Sequence, residues 1–204
     1  VLIGAALAVD DSDARAHNNY GLALLDLRRP ADALVHFDKA AALEPGLAWA
    51  HSNRGSALRA LGRLDEALTA TDQAIALNAS YAEAIANRAA ILQTLGRLSE
   101  SLTAIDQAVA LAPNLPNVHF NRATLLETIG RPRDALAAFE RAIQLKPDYI
   151  QALCGRGFTL LSLGRLDDAL AGFERALIAA PQSVDAEIGK GTALQLMQRP
   201  DAAL

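Results

Sequence analysis

Apolar residues in this chain fall in clusters of helical period, broken at regular intervals by short polar turns. Between Ala48 and Leu61, the leucines Leu58 and Leu61 share one stripe with Gly55, and the spacing predicts an amphipathic helix. Gly62-Arg63 ends it, glycine being the usual residue just past a helix end, where left-handed backbone is required. Asp65-Glu66 opens a second helix, placing carboxylates at the positive end of its dipole. That helix runs to about Leu77 with Ala67, Leu68, Ala74, Ile75 and Leu77 facing inward. Pro45, Pro113, Pro147 and Pro181 halt the second helix before the next unit, while Ala79 and Asp11 fill the same slot as weaker stops.

The whole pattern recurs every 34 residues without insertion or deletion. Leu-Gly-Arg-Leu stands at residues 61–64, 95–98 and 163–166, and Arg29, Arg63, Arg97, Arg131, Arg165 and Arg199 keep the same step. So do the small residues Gly21, Gly55, Ala89, Ala123, Gly157 and Gly191, and again Ala33, Ala67, Ser101, Ala135, Ala169 and Ala203. Small side chains at these places let two helix axes approach closely. A lone hairpin cannot bury both its faces, so neighbours must stack to complete the core. The expectation is one all-α array over 1–204, with full units 14–47, 48–81, 82–115, 116–149 and 150–183. Residues 1–13 read as the end of a preceding second helix, with Ile3, Ala6, Leu7 and Val9 in register, and 184–204 as a partial unit.

Composition agrees with this reading. Hydrophobic residues make up 51% of the chain but aromatics only 4%, which favours close-packed helices over a β-rich core. A net charge of −4, with both signs spread along the chain, offers no basic block for nucleic acid. No apolar run approaches the ~18 residues needed to cross a bilayer, and the opening Val-Leu-Ile-Gly-Ala-Ala-Leu-Ala-Val lacks the basic leader of a signal peptide. A single cysteine, Cys154, leaves no internal disulfide framework and fits a cytoplasmic location.

The motif carried by Pro45, Gly55, Leu58, Ala67 and Ala74 resembles the tetratricopeptide repeat, and the resemblance covers essentially all of the chain. It implies a right-handed α-solenoid of stacked antiparallel helix pairs, serving as a protein-interaction scaffold rather than an enzyme. The sequence departs from the family where an aromatic is usual early in the first helix: His17, His51, Ile85, His119, Leu153 and Glu187 stand there. The leucine before the small residue is likewise replaced by Tyr20, Arg54, Arg88, Arg122, Arg156 and Lys190, making the packing between units more polar.

In this family the first helices line the concave surface. Its sixth position reads Asn19, Asn53, Asn87 and Asn121, then Gly155 and Gly189. Asparagine is a mediocre helix former, so its recurrence asks for a reason. An amide both donates and accepts, so a ladder of them can grip the backbone of an extended peptide without reading side chains. The same amides can instead bond to a neighbouring helix and fix the stacking. The ladder resembles the repeat arrays of O-linked N-acetylglucosamine transferases, which implies an alternative: the substrate-recognition arm of such an enzyme, with its catalytic domain outside this chain. Asn18, Trp49, Ser52, Arg59, Gln93, Phe120 and Glu127 complete the expected peptide-binding face, Trp49 and Phe120 as apolar anchors.

Other chemistry is not expected. His17, His51 and His119 lie in separate units, too far apart to share a zinc whose ligands sit at ~2 Å, so no metal and no cofactor are assigned. Gly155-Arg156-Gly157 and Gly189-Lys190-Gly191-Thr192 lack the spacing and the preceding strand of a phosphate loop. The expected partner is a protein or peptide, not nucleic acid and not a membrane interior. Apolar faces on the terminal repeats also predict end-to-end self-association in concentrated solution.

Overall fold

The computed structural model describes residues 11–198. Among these are eleven helices and no strand. They form two compact units that divide between Leu111 and Ala112. In the first unit three hairpins follow one another: α1 (Ala14–Asp26) with α2 (Pro30–Leu43), α3 (Ala48–Ala60) with α4 (Leu64–Leu77), and α5 (Ala82–Thr94) with α6 (Leu98–Leu111). The second unit holds α7 (Pro116–Thr128) with α8 (Pro132–Leu145), α9 (Ile150–Ser162) with α10 (Leu166–Ala179), and α11 (Val184–Met197). Within each unit a helix packs on its hairpin partner and on the next hairpin, and first helices of consecutive hairpins also touch. The expected chain end before Asp11, with Ile3, Ala6, Leu7 and Val9, lies outside the described residues, as do Arg199 and Ala203.

The turns inside the hairpins repeat one device. The amide of Gly62 donates to Arg59 O and that of Arg63 to Leu58 O, at 3.0 and 2.9 Å, with Gly62 at φ +74°. This pairing satisfies two carbonyls at the helix end and needs a left-handed residue between them. Gly96, Gly130 and Gly164 repeat it, but in the first hairpin Arg28 adopts φ +58° without being glycine. The recurring arginine that follows has a defined place. It occupies the N-cap of the second helix and pairs with an acid three residues on: Arg63 with Glu66, Arg97 with Glu100, Arg165 with Asp168. The arginine hydrogen bond lowers the pKa of Glu66 and of Glu100 below the usual carboxylate value.

Close approach explains the small positions. A Cβ on Gly21 would stand 2.6 Å from Phe37 Cε1, one on Gly55 2.6 Å from the Thr71 methyl, and one on Gly157 2.6 Å from Phe173 Cε1. Each of these three glycines thus receives a side chain from the second helix of its own hairpin. Phe37, Phe139 and Phe173 are wholly buried there. In the first unit the core runs through all three hairpins, from Leu24 and Leu34 through Leu58 and Ala70 to Ile91.

Candidate functional site

In the first unit, helices α1, α3 and α5 carry the expected asparagines at equivalent places, one per hairpin. Asn19 is exposed, and Asn53 and Asn87 are half-buried. Asn53 donates from Nδ2 to Asn18 Oδ1 at 2.7 Å, and Asn87 donates from Nδ2 to Ser52 Oγ at 2.9 Å. Both acceptors are buried, Ser52 completely. Ser52, expected on the binding face, lies wholly beneath it, and Asn18 is nearly covered, the two forming a floor on which the next hairpin's asparagine rests. An amide carries two N–H donors and a carbonyl acceptor. One donor of each amide is used in its bond to the floor.

Beside this row, Arg15, Asn18 and Asn19 of α1 and Trp49 of α3 line a shallow cleft of about 240 Å³. Trp49 is half-buried, and its indole gives the cleft an apolar wall next to two amides and a guanidinium. Arg59 is exposed toward the end of α3, and Gln93 is half-buried at the matching place on α5.

The second unit carries Asn121, Phe120 and Glu127 on α7. Asn121 is half-buried. Phe120 packs against Phe139 and Tyr149, with ring centroids 6.0 and 5.2 Å apart, so much of this expected anchor is spent on internal packing. The hydroxyl of Thr159 lies 2.5 Å from Glu127 Oε1 and 2.9 Å from Gly155 O. Desolvation raises the Glu127 pKa, and the Thr159 hydrogen bond only partly opposes it. The row of asparagines ends here, and the glycines that replace it lie against phenylalanine rings. A Cβ on Gly155 would meet Phe139 Cε1 and Cζ at 2.6 Å, and one on Gly189 would collide with the ring of Phe173. These glycines, which only superficially suggest a phosphate loop, are helical residues making room for phenylalanine rings of the preceding hairpin. Cys154 is buried, and burial pushes its thiol pKa up.

The histidines serve the turns. Nε2 of His51 and of His119 each lie 2.9 Å from the carbonyl of the proline six residues earlier, Pro45 and Pro113. His17 Nε2 contacts Asp11 instead, at 2.8 Å from Oδ1, and its Nδ1 faces His36 Nδ1 at 2.9 Å. Among the described residues no group of three or more His, Cys, Asp or Glu could hold a metal ion. No described helix is long and apolar enough to cross a membrane.

One regular feature was missed from the sequence. Arg54 pairs with Asp38 and Arg88 with Asp72 in the first unit, as do Arg156 with Glu140 and Lys190 with Glu174 in the second. Each pair joins a first helix to the second helix of the preceding hairpin. An acid standing 16 residues before each of these cations was the signal that could have revealed it.

Family models described as tetratricopeptide repeat match residues 14–47, 48–81, 82–115 and 120–203. No curated protein matches the sequence. Among solved structures, a thermophilic TPR protein of Thermus thermophilus is similar at 24% identity and a TM-score of 0.83, over 90% of this chain and 100% of that one. PilF of Pseudomonas aeruginosa is similar at 18% identity and 0.74, over 95% and 88%. YrrB, described as a TPR protein with an unusual peptide-binding site, is similar at 21% identity and 0.60, over 93% and 97%. At these identities the likenesses speak for the fold.

Proposed function

Because the chain belongs to the tetratricopeptide repeat family, generally a non-catalytic scaffold for protein interactions, we propose that it holds an extended segment of a partner protein on the face formed by its first helices. The observation that carries this reading is the row of asparagines whose amides are oriented by buried partners, one N–H donor of each being used in that bond. Amides positioned in this way satisfy backbone N–H and C=O groups, which every peptide offers, so the grip depends on chain conformation more than on side chains. Trp49 and its cleft add an apolar contact, and the peptide-binding site named for YrrB is a precedent on a similar fold. The single, buried thiol of Cys154 fits a cytoplasmic setting.

The test is the combined replacement of Asn53, Asn87 and Asn121 by alanine, followed by binding to an immobilised peptide array. The expected outcome is loss of the bound peptides with the helical circular dichroism retained. Unchanged array binding by the folded variant would overturn the role given to the asparagines.

A further inference from the structure

The spacing of the asparagines restricts which extended conformation can follow them, provided the peptide-binding reading above holds. Helices α1, α3 and α5 belong to consecutive hairpins and touch through short side chains: Asn53 on Asn18, and Asn87 on Ser52. Helices in such contact lie about 8–10 Å apart, so equivalent asparagines are repeated at about that interval. A β-strand returns a backbone group to the same side every second residue, about 7 Å on, and its third residue, at about 10 Å, faces the opposite side. A polyproline-II helix rises ~3.1 Å per residue with three residues per turn, and so returns to the same face after about 9 Å. Only the latter matches both the interval and the side.

Two further features agree. The polyproline-II backbone makes no internal hydrogen bonds, so its amides and carbonyls are available to Asn53 and Asn87. Segments of this kind dock their pyrrolidine rings on aromatic faces, and half-buried Trp49 supplies one in the cleft shared with Arg15, Asn18 and Asn19. We infer that the ligand of this face is a polyproline-II segment that turns one free backbone N–H toward the asparagines every third residue. Proline is then tolerated at the two intervening places, which do not need a donor.

Trp49 is the chain's single tryptophan, so its fluorescence reports occupancy directly. Three lysine-flanked peptides of equal length are titrated: repeating Ala-Ala-Pro, repeating Thr-Val, and all-proline. The Ala-Ala-Pro peptide is expected to bind roughly tenfold tighter than either of the others and to lose that advantage when Asn53 and Asn87 are both replaced by alanine. If Thr-Val binds as tightly or more tightly and still depends on the two asparagines, the inferred conformation is wrong and the peptide-binding reading survives. If all-proline equals Ala-Ala-Pro, the requirement for a free N–H every third residue is wrong. If no peptide binds, or none depends on the asparagines while circular dichroism shows the variant folded, both readings fall.

Discussion

Nδ2 of Asn53 lies 2.7 Å from Oδ1 of Asn18, a side-chain bond between the first helices of two consecutive hairpins. The acceptor is buried and the donor half-buried, so the contact couples stacking to the orientation of a surface amide. The same relationship recurs one hairpin later between Asn87 and Ser52.

Replacing Asn18 by alanine removes this acceptor and frees the Asn53 amide. Stability is expected to fall by about 1 kcal/mol, the usual net worth of such a bond. A double-mutant cycle with Asn53→Ala, followed by urea unfolding, should return a coupling energy of about 0.5–1.5 kcal/mol. Strict additivity would show that the bond does not form in solution.

Glycines in the C-terminal unit should respond oppositely to the same substitution. Gly157→Ala drives a methyl group against the Phe173 ring and is expected to destabilise by about 1–3 kcal/mol. Phe173→Leu in the same background should recover part of the loss. Gly191, on α11, has nothing within 4 Å of its absent Cβ, so Gly191→Ala is expected to stabilise by about 0.5–1 kcal/mol. Thermal unfolding of the three variants separates steric fit from helix propensity.

Arg28 holds φ +58° in the slot that glycine fills in four later hairpins. A left-handed conformation costs a residue with a side chain about 1–2 kcal/mol, against about 0.4–1 kcal/mol lost to glycine's freedom when unfolded. Arg28→Gly should therefore raise the urea midpoint at unchanged slope, and a lower midpoint would contradict the strain.

His36 makes the first hairpin sensitive to acid. It faces His17 of α1, the edge of Tyr20, and the charges of Asp32 and of Asp11, whose carboxylate also pairs with Lys39. Burial first and the charge of His17 second lower its pKa, with Asp11 and Asp32 pulling the other way. The unfolded chain then takes up this proton more readily than the folded one. The contribution is complete above the ordinary histidine value of about 6.5 and is lost as pH falls through the lower folded value. Wild type should lose more stability than His36→Gln between about pH 7.5 and about pH 5.5, and equal losses in urea midpoints would refute the linkage.

Much of the architecture was legible before any coordinates because it is written in local chemistry. Gly62 and its equivalents need no tertiary partner to favour a left-handed turn, and Leu58 and Ala67 declare their faces through helical period alone. The asparagine row was also visible as residue identity in register, and so was the possibility that its amides bond to a neighbouring helix, but not which residues accept them. Asn18 and Ser52 carry polar side chains, which suggested contact with a ligand, whereas the structure turns them into buried floor.

The sequence by itself thus determined the helices, their turns and the 34-residue register, since each depends on residues a few positions apart. Only the tertiary structure decided which polar group each side chain would meet. Asn53 meets Asn18, Arg54 meets Asp38, and the ring of Phe139 rather than an amide fills the space over Gly155. These partners come from other helices, 16 or 35 residues away in chain, and the rotation and closeness of packed helices select among them.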